Sequence, residues 1–128
     1  MEEITLAVPR GVVESLPEDD DAAEKDIRQA VTGLESRVNE RIEAADDASE
    51  AASGILDVIE HLETRMERYD EFVPELRAWG QSPIYAIAWR NLYAELIAQL
   101  YEHEWLADEL DRERNYRVVE DGIRFGGN

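Results

Sequence analysis

The chain has two histidines, His61 and His103, and they are the first places to look for chemistry. Asp57 stands four residues before His61, so the two share a face of any helix that carries them. His103 lies seven residues after Leu96 and three before Leu106, on one helical stripe with Gln99, and Glu102 and Glu104 flank it. His103, His61, Asp57, Gln99 and Glu102 could therefore line a small-ligand or metal site within a helical bundle, centred on His103. The di-iron bundle pattern asks for Glu three residues before His. Val58 and Leu100 occupy those two positions, so that pattern is absent. The plainer expectation is a buried His and Gln that find hydrogen-bond partners. No particular cofactor is implied.

Other chemistries leave fainter marks. No Ser/His/Asp order, P-loop or Gly-x-Gly-x-x-Gly motif is present. Carboxylates are so abundant that proposing any pair as an acid–base couple means little without geometry. Arg90 follows Trp89 in an apolar stretch and could hold an anion, although a carboxylate partner is the simpler expectation. Trp79, Tyr85, Trp89, Tyr93, Tyr101 and Trp105 gather between residues 79 and 105. Large aromatics anchor cores and interfaces alike. Tyr85, Trp89 and Tyr93 extend beyond a single stripe, which points to a homodimer surface and a non-enzymatic interaction or assembly role.

These residues need elements to position them. Ile4, Leu6 and Val8 alternate with Glu3, Thr5 and Ala7, a period of two that predicts a short strand ended by Pro9. From about Asp21, Ile27, Val31, Leu34, Val38 and Ile42 form one helical stripe. Asp47 and Glu50 match a capping box, opening a second helix with the stripe Ile55, Ile59, Leu62, Met66 and Tyr69. Pro74 predicts a break, then a short helix to Trp79 stopped at Gly80. Ser82-Pro83 predicts the start of a long helix running to about Arg112. Asp121-Gly122 predicts a hairpin turn that puts Tyr116, Val118, Ile123 and Phe125 on one face. The expected fold is mostly α: an antiparallel helical bundle of two to three longer helices with a short terminal β element, an N-terminal strand and a C-terminal hairpin, in a single domain spanning 1–128.

The opening Ile4-Thr5-Leu6-Ala7-Val8-Pro9, a short helix, then Ala22-Ala23-Glu24-Lys25 weakly resembles the start of ribbon-helix-helix, antitoxin-like small proteins over residues 1–30. The resemblance implies a DNA-binding regulator. Base-reading strands in that family need donor side chains. The outward set here would be Glu3, Thr5 and Ala7, of which only Thr5 is suited, so nucleic acid is an unfavoured partner.

Charge dominates the composition: 31 acidic against 13 basic residues, a formal net charge of −18. Lys25 is the only lysine and there is no cysteine, which excludes disulfides, thiolate chemistry and Cys-based zinc. The surplus of Asp and Glu over Lys resembles the proteins of archaea that accumulate potassium chloride, and implies an acidic surface adapted to salt. No apolar run approaches the ~18 residues of a membrane span. The acidic start Met1-Glu2-Glu3 is unlike a signal peptide, so the cytoplasm is the expected location. In dilute buffer, like charge opposes the compact state, whereas in molar salt the Debye length falls to about 3 Å. The helical circular-dichroism signal is therefore expected to fall on dialysis from molar potassium chloride into dilute buffer. Equal signal in both would count against salt adaptation.

Overall fold

Helical periodicity carries almost the whole chain into five helices: α1 Arg10–Glu14, α2 Asp21–Ala44, α3 Ala48–Ala78, α4 Ile84–Tyr101 and α5 Glu104–Gly126. The computed structural model describes the backbone of residues 1–126 and the side chains of residues 1–121. Two side-chain caps set the starts of the long helices. Asp20 accepts the Ala23 N–H at 3.0 Å to open α2, and Asp47 accepts the Glu50 N–H at 2.8 Å to open α3. The Glu50 carboxylate in turn accepts the Asp46 N–H at 3.1 Å, a capping box shifted back by one residue.

α3 is the central helix and touches α2, α4 and α5. Ala51, Ala52, Ile55, Leu56, Val58, Ile59 and Leu62 are all buried, an arc too wide for one neighbour to cover. α2 runs antiparallel to α3: Arg41 lies against Gly54, while Leu34 and Arg37 share a cavity wall with His61 and Leu62. α4 also runs antiparallel to α3, since Arg90 reaches Asp70 while Ile97 lies beside Met66. The core gathers buried side chains from all five helices into one cluster.

The N-terminal strand is absent as a strand: residues 1–9 enter no β-ladder. Its period of two is nonetheless real, with Ile4 and Leu6 buried and Thr5 and Ala7 exposed. The segment lies extended between α2 and α4, and helix side chains take the place of a neighbouring strand. Asn39 accepts the Ile4 N–H at 2.8 Å and donates to its carbonyl at 2.9 Å. Gln99 does the same for Ala7, at 2.8 Å on both sides.

The C-terminal hairpin is overturned. Residues 104–126 are helical straight through Asp121-Gly122. The reason is cross-helix contact that the turn signal does not encode. Helical spacing places Glu113 four residues before Arg117, and Arg117 then reaches Asp57 at 2.9 Å and Glu60 at 3.2 Å on α3. Val118, expected on a packed face, is 70% exposed, and Tyr116 is exposed too. The side chains of Ile123, Arg124 and Phe125 lie outside the described residues.

Two further boundaries move. Pro74 sits inside α3 rather than ending it. An interior proline costs about 3 kcal/mol, but α4 braces the preceding turns through the Arg90–Asp70 ion pair and Tyr93 against Tyr69. α3 ends instead at Gly80, with φ +73° and the Gln81 N–H donating to the Leu76 carbonyl at 2.8 Å, a Schellman-type stop. The single long helix expected after Pro83 is two helices that meet at Glu102 and His103. Unbroken, residues 84–126 would extend about 64 Å, well past the ~46 Å of α3. The bend returns α5 to the core, where Leu106 and Leu110 are fully buried.

Replacing Ile59, fully enclosed on α3, by Ala is expected to cost about 2–5 kcal/mol in denaturant unfolding. Val118→Ala is expected to stay within about 0.5 kcal/mol. A large loss from Val118→Ala would favour a packed hairpin over helix α5.

Candidate functional site

In so acidic a chain, a surface concavity free of carboxylates stands out. The other described cavities have at least two Asp or Glu in their walls. The cavity between α2, α3 and α4 has none. Its volume is about 230 Å³. Its floor is Leu34, Leu62 and Leu96, one leucine from each helix, and all three are buried. Small residues on α2, Ala30 and Gly33, leave the space open; a Cβ on Gly33 would meet nothing within 4 Å.

The polar groups around this floor are Arg37 from α2, His61 and Arg65 from α3, and Tyr93 from α4. Arg65 donates from Nη1 to the Tyr93 hydroxyl at 3.3 Å. Tyr93 is only 5% exposed, with Trp89 at 5.9 Å and Tyr69 at 6.1 Å between ring centroids. The aromatic stack thus fixes the hydroxyl that orients Arg65. Burial pushes the Tyr69 hydroxyl above its usual pKa, with a smaller contribution from Tyr93. Among the described residues neither Arg37 nor Arg65 makes an ion pair. Two guanidinium groups, an imidazole and a phenol above an apolar floor suit an anion that carries a short apolar body.

The other arginines that join helices are already committed. Arg117 binds Asp57, Glu60 and Glu113, and also donates to the Ser53 carbonyl at 3.1 Å. Arg114 binds Glu63 at 2.9 Å and the Tyr101 hydroxyl at 2.7 Å. Burial pulls both guanidinium pKa values down, but hydrogen bonds to these partners outweigh it and the net displacement is upward. Arg90, considered above as an anion holder, is paired with Asp70 at 2.8 Å.

The residues grouped around His103 are dispersed. Asp57 is held by Arg117 on the outside of α3. His61 stands at the rim of the leucine-floored cavity. Gln99 holds the backbone of Ala7. Glu102 caps the end of α4, and His103 lies just before α5, its carbonyl accepting the Leu106 and Ala107 N–H groups at 3.0 and 2.8 Å. Among the described residues, no three His, Asp or Glu side chains come together as metal ligands. The aromatic trio divides as well. Tyr93 belongs to the core, Trp89 is half-buried beside it, and Tyr85 is exposed. The Tyr85 hydroxyl bonds the Asp20 carboxylate, which lies below its usual pKa because of that bond and the Ala23 N–H, while the tyrosine is displaced upward.

Arg37 and Arg65 escaped the sequence analysis because each lies on its own helix among polar neighbours. The one available signal was the stripe Ala30, Gly33, Leu34, Arg37, where small residues on a helix face end in a cation. No described helix is long and apolar enough to cross a membrane. No curated protein and no solved structure matches the chain. A family model does match it, over residues 1–127, and the chain belongs to that family, DUF7971, whose function is unknown.

Proposed function

We propose that the protein is a non-enzymatic helical module that binds a small organic anion between α2, α3 and α4. The observation that carries this is the carboxylate-free cavity, with Arg37, His61, Arg65 and Tyr93 set above three leucines. Its 230 Å³ lies below the ~300 Å³ at which drug-sized pockets begin, so the ligand is small, a short-chain carboxylate or a compact phosphate. This reading keeps the small-ligand role considered for the histidines but moves its centre from His103 to His61. A salt-rich cytoplasm is consistent with it. Long-range attraction is screened there, and short bidentate guanidinium contacts are what remain.

The test is calorimetric titration with butanoate and, separately, inorganic phosphate in molar potassium chloride. Saturable binding of butanoate is expected, tighter than that of phosphate. Arg37→Ala and Arg65→Ala should each cost about 1.5–3 kcal/mol, the range for a hydrogen bond to a charged group, while Arg68→Ala, outside the lining, should change nothing. No binding of either probe would sink the proposal.

A second reading, self-association, draws on a different observation. Phe72, Trp79, Ile84 and Tyr85 are all substantially exposed, Trp79 at 72%, and flank the turn between α3 and α4. Arg68, Glu71, Glu75 and Arg77 are exposed on the last turns of α3, so charges of both signs border this tip, as a self-pairing surface requires. The tip thus takes over the dimer role first assigned to Tyr85, Trp89 and Tyr93. Light scattering in molar potassium chloride should give a dimer mass, and Phe72→Ser with Trp79→Ser should give a monomer of unchanged helicity. A wild-type monomer ends this reading.

A further inference from the structure

The N-terminal segment is held in the way a protein holds a bound peptide. Its backbone is read on both edges. The Ile4 and Leu6 N–H groups bond Asn39 and Glu35 of α2, each at 2.8 Å. The Ala7 N–H and carbonyl bond Gln99 of α4. In an extended chain, successive backbone groups point to opposite edges, so even positions face α2 and odd positions face α4. The spacing matches too: two residues of extended chain advance about 6.8 Å, and the four helical residues from Glu35 to Asn39 advance about 6 Å. Side chains contribute only through the apolar pattern, with Ile4 and Leu6 buried beneath the strap.

Asn39 and Gln99 recognise any residue's backbone, because a primary amide can answer both the N–H and the C=O. The exit of the strap from α1 is set locally. Pro9 is itself extended and disfavours helical backbone at Val8, so α1 does not continue into the strap.

We propose that the α2–α4 groove is a backbone-reading peptide site that can take the Met1–Val8 segment of a second copy in place of its own. The occupant is argued from the contacts themselves. The segment seen in the groove is the one a second copy also carries, and every hydrogen bond above is reproduced on exchange. Two copies that trade straps form a closed, two-fold pair, for which swapping an identical element is a low-cost route. The attached strap competes at an effective concentration on the order of millimolar, so exchange grows with protein concentration or with loosening of the strap. The inference extends the self-association reading, but its test does not depend on the α3–α4 tip.

The test uses a fluorescent peptide of residues 1–9, titrated against the full chain and against a full chain carrying Ile4→Glu and Leu6→Glu, whose own strap cannot bury. Fluorescence anisotropy should show saturable binding to the double variant, at least tenfold tighter than to wild type. Adding Asn39→Ala and Gln99→Ala to that variant should weaken binding at least tenfold. A peptide with Ile4 and Leu6 exchanged for Thr5 and Ala7 should not bind. Amide hydrogen exchange of the wild-type chain should show Ile4, Leu6 and Ala7 opening faster than the core amides of α3. A folded double variant that binds no peptide overturns the proposal. So does a double variant that loses its helices, or strap amides that open only with the core, since either makes the strap a fixed part of the core. Failure of the tip variants to alter the oligomer would leave the peptide titration unaffected.

Discussion

The wide apolar arc of α3 is the constraint on which the other elements depend. Residues Ala51 to Leu62 bury side chains over more of the helix surface than one partner can cover. α2 and α4 therefore lie along it in antiparallel contact, and the chain bends at Glu102 and His103 so that α5 can close the remaining side. The alanines Ala51 and Ala52 are fully buried. Their small side chains allow close approach, so α3 is central for reasons of shape as well as of hydrophobic area.

Charge is arranged on top of that packing. The described interior contains no buried charged or polar residue and no buried side-chain donor or acceptor without a partner. The ion pairs sit at the margins, where exposed pairs contribute little individually. Their geometry still matters. Arg114 and Arg117 connect α5 to α3 at several points, which explains why the last helix stays helical although its outer face is exposed. The pocket between α2, α3 and α4 is the exception to this pattern, with cations present and carboxylates missing from its walls. The proposed function rests on this local departure from the acidic composition of the chain.

The same backbone logic explains the two β predictions. An alternating segment needs hydrogen-bond partners along its edges. For residues 4–7 those partners are side chains of α2 and α4, so the alternation is real although no β-ladder forms. For residues 116–125 the helix supplies its own backbone partners, and Asp121-Gly122 is absorbed without a turn. The helix that carries this turn signal is anchored elsewhere, by Leu106 and Leu110 in the core and by Arg117 on Asp57 and Glu60 of α3.

What the sequence by itself determined was whatever one element can express alone. The stripe of α2, the start of α3 at Asp47, the stop at Gly80 and the alternation of Ile4 and Leu6 all follow from local periodicity or capping. Tertiary structure decided what depends on residues distant in the chain. It carried α3 through Pro74, bent the helix at His103, separated His61 from the group expected around His103, and brought Arg37 beside Arg65. Local signals amount to about one to three kcal/mol each, and the burial of α3 on three sides outweighs any one of them. The candidate site was hidden for the same reason: its four polar groups come from three helices, and no spacing along the chain records which helix faces meet.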